Sequence, residues 1–259
     1  MNKIQLALKA RKKFLNWQTL VSLYFKKIKD ENVILETKDH IKIMIRTNST
    51  DIMQLATVWL AEDYKIPEFD VNENDTIIDI GAHIGLFSLF VSDNCKNGKI
   101  YCYEPITENY NILMKNIELN KIKNIIPFNQ AVSKENEKIK IYLNSDDSAH
   151  SIFSSGKDFV QVKSISIKSI FDNNKINNCN LLKLDCEGAE YEIIDSIPEE
   201  YFLRINKLII EYHLASKKPI LYDKLLKKLQ DLSFTIKIEK ITEDMGMIYA
   251  LNQKKIKND

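Results

Sequence analysis

The stretch Asp79-Ile-Gly-Ala-His-Ile-Gly85 closes the short apolar run Thr76 to Ile80 and opens what reads as a helix. An apolar run of that length bounded by turn residues reads as a buried strand. A strand that turns into a helix over glycines brings free backbone N–H groups close to a bound group. Asp79 lies two residues before the first glycine, and the Gly-x-x-x-Gly spacing lacks the third glycine of the dinucleotide fingerprint. The pattern favours S-adenosylmethionine (SAM) over NAD: the Asp79 carboxylate takes the methionine amino group, and the backbone at Gly81 and Gly85 lies flat against the ligand. The same residues also make a tight strand-to-helix turn that needs no ligand.

Carboxylates recur at the ends of the later apolar runs. The second run, Lys99 to Glu104, ends in an acid that is placed to accept both ribose hydroxyls of a nucleoside, or that stands as a plain strand-end acid. Beyond the third, Ile125 to Asn129, the side chains of Asn129 and Gln130 and the backbone at Ala131 and Val132 lie where an adenine edge would be met, although Asn and Gln are also common turn residues. The fourth, Asn180 to Leu184, runs into Asp185-Cys-Glu-Gly-Ala-Glu190, which puts negative charge where a sulfonium would sit. Glu190 reads as the start of the next helix, favouring its N-terminal dipole. The fifth, Lys207 to His213, ends in Glu211-Tyr-His213, whose acid and imidazole share one strand face. His213 is the expected base, because its ordinary pKa suits proton uptake near neutrality and a neighbouring Glu211 or Asp185 raises its basicity. The competing arrangement, not favoured, is a divalent metal held by Asp185, Glu211 and His213.

From residue 75 onward, buried runs alternate with helical patterns such as Thr107 to Asn120, which signals a parallel sheet covered on both faces. Phe234 to Lys240 and Met247 to Leu251 are joined by so short a loop that they must pair antiparallel. The expected fold is α/β: a mostly parallel seven-stranded sheet closed by an antiparallel C-terminal strand. Residues 137–167 interrupt the alternation with two further strand patterns and read as an insertion over the carboxyl edge of the sheet. His150, in the loop between them, is a substrate contact or a solvated loop histidine.

Residues 1–29 carry eight Lys or Arg and no acid. Leu6, Ala10, Phe14, Trp17, Val21, Tyr24 and Ile28 follow the spacing of one amphipathic helix. Such a helix packs on its own domain or on a second copy, making a homodimer the expected assembly, or lies on an anionic membrane. A hairpin over 33–45 and a helix capped by Thr50 or Asp51 follow, and Tyr64, a candidate substrate contact, closes the subregion. Residues 1–70 read as an N-terminal cap of helix, hairpin and helix, 71–252 as a SAM-binding domain, and 253–259 as a basic tail.

With 259 residues, 44% of them apolar, the chain can bury one substantial core. A net charge of +1 gives none of the basic excess expected of a nucleic-acid binder, so no nucleic-acid partner is expected. Cys95, Cys102, Cys179 and Cys186 lack the paired spacing of zinc or redox sites. No apolar run approaches the length of a transmembrane segment, and a cytoplasmic setting is expected.

Asp79-Ile-Gly-Ala-His-Ile-Gly-Leu-Phe-Ser88, Tyr103-Glu104-Pro105, Leu182-Lys-Leu-Asp-Cys-Glu-Gly-Ala-Glu190 and Ile210-Glu-Tyr-His213 together resemble the FkbM family of SAM-dependent methyltransferases, in the same order over roughly residues 48–213. The resemblance implies a Rossmann-like class I methyltransferase core and O-methylation of a small molecule, often a sugar, with S-adenosylhomocysteine as the product. It puts Asp79, Gly81 and Gly85 on the methionine and Glu104 on the ribose, with Asp185, Glu187 and Glu211 at the reaction end. Ala82, His83 and Pro105 fall in the same cofactor motifs, although His83 stands where the family often has Asn. Glu187 and His213 are expected to meet the acceptor. The expected function is methyl transfer to a hydroxyl of a sugar or nucleotide-sugar in capsule or polysaccharide assembly. The alternatives are an RNA methyltransferase and a non-catalytic SAM-binding scaffold that acts through the basic N-terminal segment.

Overall fold

A computed structural model gives the fold and describes residues 3–61, 64, 66–142 and 158–256. The chain begins with helices α1 (Lys3–Lys13) and α2 (Trp17–Tyr24), the hairpin β1 (Asn32–Glu36) and β2 (Lys42–Arg46), and α3 (Asp51–Leu55), which widens into one wide helical turn over Ala56–Ala61. The main sheet then alternates with helices: β3 (Thr76–Ile80), α4 (Leu86–Ser92), β4 (Lys99–Tyr103), α5 (Thr107–Asn120) and β5 (Ile125–Phe128). Next come β6 (Ala131–Val132), β7 (Lys138–Tyr142), β8 (Phe159–Ile165) and α6 (Ile167–Asn173). The chain returns to the sheet with β9 (Cys179–Asp185), α7 (Glu190–Ser196), α8 (Glu199–Phe202) and β10 (Ile205–Tyr212). Helix α9 (Pro219–Asp231), strands β11 (Phe234–Lys240) and β12 (Gly246–Asn252), and α10 (Gln253–Ile256) complete it.

The seven strands run in the order β11-β12-β10-β9-β3-β4-β5. β10, β9, β3, β4 and β5 pair in parallel, while β12 is antiparallel to both β10 and β11. The antiparallel strand therefore lies inside the sheet, and β11 forms the edge. Each central strand is buried on both faces, as a parallel sheet requires. One layer packs α4, α5 and the N-terminal elements on Ile77, Ile100 and Leu181. The other packs α6, α7, α8 and α9 on Ile78, Leu182 and Ile210. The insertion forms a separate sheet in the order β6-β8-β7; His150 lies outside the described residues.

The N-terminal stripe is interrupted. Instead of one helix, α1 and α2 are separated at Phe14, which bridges Thr37, while the Leu15 N–H donates to the Glu36 carbonyl. The Asn16 side chain accepts from the Glu36 N–H at 2.9 Å and donates to the Ile34 carbonyl at 2.8 Å. Asn competes with the helix ladder in this way by offering its amide to the backbone of β1. The break shifts the buried face of α2 to Leu20 and Leu23, and Tyr24 is left at the surface. Asp51 does not cap α3 either: its carboxylate accepts from the Arg46 N–H at 2.8 Å and from the Arg46 guanidinium at 2.7 and 3.0 Å.

Candidate active site

The parallel strands deliver their carboxyl ends to one side of the sheet, where ligands of such folds bind. The ends of β3 and β4 are tied together, since the Gly81 and Ala82 N–H groups both donate to the Tyr103 carbonyl at 3.0 Å. Gly81 has φ +74° and Gly85 φ +86°, left-handed backbone that side chains resist. The groups that approach these glycines are protein groups. A Cβ on Gly81 would overlap the Asp185 carbonyl, and one on Gly85 would overlap the Leu113 side chain. Glycine at 85 thus lets α5 close on the turn, which corrects the expectation that it clears room for a ligand.

Above the turn is a cleft of about 90 Å³. Its walls bring together the expected residues Gly81, His83, Glu104, Pro105, Ala131, Asp185 and Glu187. Ile139 and Ile141 of β7 close one side, so the insertion does lie over the carboxyl edge of the sheet. Asp79, Ala82, Gly85 and Asn129 stand outside these walls. The exposed Asn129 donates to the carbonyls of Glu104 at 2.9 Å and Pro105 at 3.1 Å, and so secures the loop after β4 instead of reaching an adenine edge.

Asp79 is fully buried. One of its oxygens accepts from the Ser88 hydroxyl at 2.6 Å and the other from the Lys183 ammonium at 3.1 Å, so it braces the turn from beneath and does not face a methionine amino group. Lys183 also donates to the Gly81 carbonyl at 3.3 Å and lies 3.7 Å from Asp185. Burial opposes its charge, but Asp79, Tyr64 and Asp185 hold its pKa well above the ordinary lysine range. Tyr64 is buried, with its ring centroid 5.9 Å from the Lys183 ammonium; burial raises its phenol well above the usual value. Its place is next to the ion pair.

Glu104 is buried beside the turn, with one oxygen accepting from the His83 N–H and the other from the Ile106 N–H, both at 2.8 Å. The oxygen on Ile106 also accepts from the Asn109 amide at 3.4 Å, and the oxygen on His83 keeps a second lone pair for a hydroxyl donor. Burial pushes the Glu104 pKa up to about 7. Ribose hydroxyls donate to the ionised form, so ligand binding draws the proton off. SAM affinity is therefore expected to rise about tenfold from pH 6 to pH 8 and then level off. Calorimetry across that range checks this; a flat profile, or unchanged affinity in Glu104→Ala, removes Glu104 from the ribose.

His83 is also buried, and burial lowers its pKa to about 4, so it is neutral near pH 7. Its Nε2 accepts from Arg46 at 3.3 Å, which leaves the proton on Nδ1. That Nδ1 has no hydrogen-bond partner among the described residues. A buried donor left open in a residue of the cleft wall fits an acceptor on a ligand, such as the carboxylate of SAM.

Beside the cleft, β9 and β10 place Asp185, which lines it, opposite Glu211 in register; Glu211 and His213 themselves stand outside its walls. The His213 Nδ1 lies 3.1 Å from Glu190, and its Nε2 is 3.6 Å from Glu187 and 3.7 Å from Glu211. Glu190 is fully buried and accepts from the backbone N–H groups of Cys186 at 2.8 Å and Gly188 at 3.0 Å, so it organises the turn into α7 as well as holding the imidazole. The Tyr191 hydroxyl fixes the His213 carbonyl at 2.6 Å. Burial alone would lower the His213 pKa, but the Glu190 hydrogen bond and the charges of Glu190, Glu187 and Asp185 push it up to about 10. That pKa favours the protonated imidazole near neutral pH, whereas the expected role as base calls for the neutral ring. Glu211 is pushed up to about 8 by the facing Asp185 carboxylate and by burial. Ligand atoms of Asp185, Glu211 and His213 lie within 4.8 Å of one another.

The profile of the methyltransferase FkbM domain matches residues 79–236, more than half of the chain. The chain belongs to the FkbM methyltransferase family. It is 27% identical over 172 residues to methyltransferase sdnD of Sordaria araneosa, taking in 53% of this chain and 66% of that protein, and so spans just under two thirds of that relative's length. It is 21% identical over 186 residues to the hexuronic acid methyltransferase AglP of Haloferax volcanii, 71% of this chain and 73% of that one. The Methanococcus jannaschii fibrillarin pre-rRNA processing protein superposes with a TM-score of 0.50 at 13% identity, over 86% of this chain and 83% of that chain, a likeness of fold alone. The FkbM domain is a Rossmann-like SAM-dependent methyltransferase domain.

Sequence reasoning passed over Lys183, Arg46, Asp51 and Gln54. Lys183 had a signal, since it is the one cation in the apolar run Leu181-Leu-Lys-Leu184. Arg46 and Asp51 meet His83 only through the packing of the N-terminal hairpin, and Gln54 lines the cleft from α3.

Proposed function

We propose that the protein transfers the methyl group of SAM to a hydroxyl of a sugar, free or nucleotide-linked, in the cytoplasm. The observation that carries the reading is the acidic end of the cleft, where Asp185 and Glu187 in its wall lead to Glu211 and His213. The likeness to a relative named for hexuronic acid supports a sugar acceptor. When bound, SAM supplies a methyl group already activated on a sulfonium. The chain's own residues hold the cofactor through Gly81, His83, Glu104 and Ala131 and exclude water with Ile139 and Ile141. A sugar hydroxyl becomes a nucleophile as its proton leaves, and a carboxylate of raised pKa suits that step. Glu211 accepts the proton in this reading, while the His213 imidazolium, pinned by Glu190, keeps the facing carboxylates in place and hydrogen-bonds the acceptor. Positioning supplies the rest, since acceptor oxygen, methyl carbon and sulfur must lie in line.

The test is a panel of sugars and nucleotide-sugars incubated with SAM, with mass spectrometry for S-adenosylhomocysteine and a product heavier by one methylene. A methylated sugar that depends on Glu211 is the expected result. Methyl transfer to RNA and to no sugar overturns the acceptor class, and no turnover with any acceptor leaves a SAM-binding scaffold.

A further inference from the structure

The N-terminal elements form a second cavity of about 460 Å³, larger than the SAM cleft, between α1, α2 and α3 with its wide turn. Its interior is apolar, with walls from Ala10, Leu20, Leu23, Ile52, Ala56 and Leu60. Tyr24, Phe25 and Met53 also line it and are 44%, 52% and 68% exposed, so they reach its mouth. Lys26 lines the cavity too, and the Lys27 ammonium is 5.8 Å from the Phe25 ring centroid. A cluster of this kind marks an interaction site.

Charge decides the occupant. The eight Lys and Arg of residues 1–29 have no acid among them, whereas the rest of the chain carries 29 Lys or Arg against 36 Asp or Glu. Positive charge is thus concentrated on the segment that builds the cavity. A two-fold pairing of two copies through this face would oppose like charges, which is unfavourable. An anionic amphiphile meets both demands, with its apolar chain in the cavity and its headgroup on the lysines. We propose that this cavity receives an acyl chain of an anionic membrane lipid, so that α1 and α2 dock the protein on an anionic bilayer surface. Tyr24 suits the boundary, with an apolar ring and a polar tip. Helix α3 separates the two cavities: Gln54 lines the SAM cleft, and Ile52 and Met53 line the apolar one. Docking therefore sets the cleft one helix away from the lipid.

Co-sedimentation of the full chain with vesicles of phosphatidylcholine, with and without phosphatidylglycerol, tests the proposal. Binding is expected to be at least about tenfold tighter with phosphatidylglycerol and to weaken as salt is added. Phe25→Glu and Met53→Glu alter exposed positions that the fold tolerates, and each is expected to weaken vesicle binding about tenfold with SAM affinity unchanged. Lys26→Glu combined with Lys27→Glu is expected to do the same. Absence of binding to either vesicle overturns the proposal. So does binding that the lysine changes abolish but Phe25→Glu and Met53→Glu leave intact, because the cavity is then unused. Light scattering that shows a dimer split by Phe25→Glu assigns the face to a second copy instead.

Discussion

Glu211→Gln is expected to lower turnover by about 10²–10⁴-fold while leaving SAM affinity within about twofold, the loss expected for a positioned general base. The side chain faces Asp185 across β9 and β10 and lies 3.7 Å from the His213 imidazolium, so amide for carboxylate changes the proton acceptor and little of the packing. The Asp185 charge and burial push the Glu211 pKa up to about 8. An acid with a raised pKa is protonated below that value, so with SAM saturating, kcat/KM for the acceptor is expected to rise about tenfold per pH unit up to pH 8 and then flatten. The rise should vanish in Glu211→Gln. His213, held near 10 by Glu190 and its neighbours, stays charged across the whole range and contributes no second break. Full activity in Glu211→Gln overturns the assignment. Activity abolished by EDTA and restored by Mg²⁺ turns Asp185, Glu211 and His213 into metal ligands.

Lys183→Met is expected to cost about 3–5 kcal/mol of folding stability, because it leaves Asp79 charged and buried with the Ser88 hydroxyl as its remaining side-chain donor among the described residues. Methionine fills much the same space, so the loss is electrostatic more than one of packing. Adding Asp79→Asn is expected to return part of it, since the uncompensated charge is then gone. Urea denaturation of the two single variants and the double variant gives the coupling directly. A Lys183→Met protein within about 1 kcal/mol of the parent shows that the pair does not hold the turn. The same substitution removes the donor to the Gly81 carbonyl and is expected to weaken SAM binding as well.

Much of this protein is written in local pattern. The buried run Thr76–Ile80, the helix Thr107–Asn120 and the closing antiparallel pair fall where periodicity and loop length put them. Burial on both faces demands continuous apolar runs, and a short loop admits one kind of pairing. The carboxylates at strand ends were legible for the same reason: a parallel sheet presents all its carboxyl ends on one side, so position in the run gives position in the site.

The chemical state of those groups was settled by residues far away in the chain. Asp79 reads as a ligand contact until Lys183, 104 positions on, takes its charge from beneath. His213 reads as a base until Glu190, 23 positions earlier, holds its Nδ1 and favours the cation. Gly85 reads as room for a ligand until Leu113 fills the space. The segment of residues 1–29 reads as one helix until Asn16 finds the backbone of β1. A sequence specifies periodicity, and periodicity specifies strands, helices and their order. Protonation, and which backbone a side chain meets, depend on dielectric and on charges brought within a few ångströms by folding, and only the tertiary structure decides them.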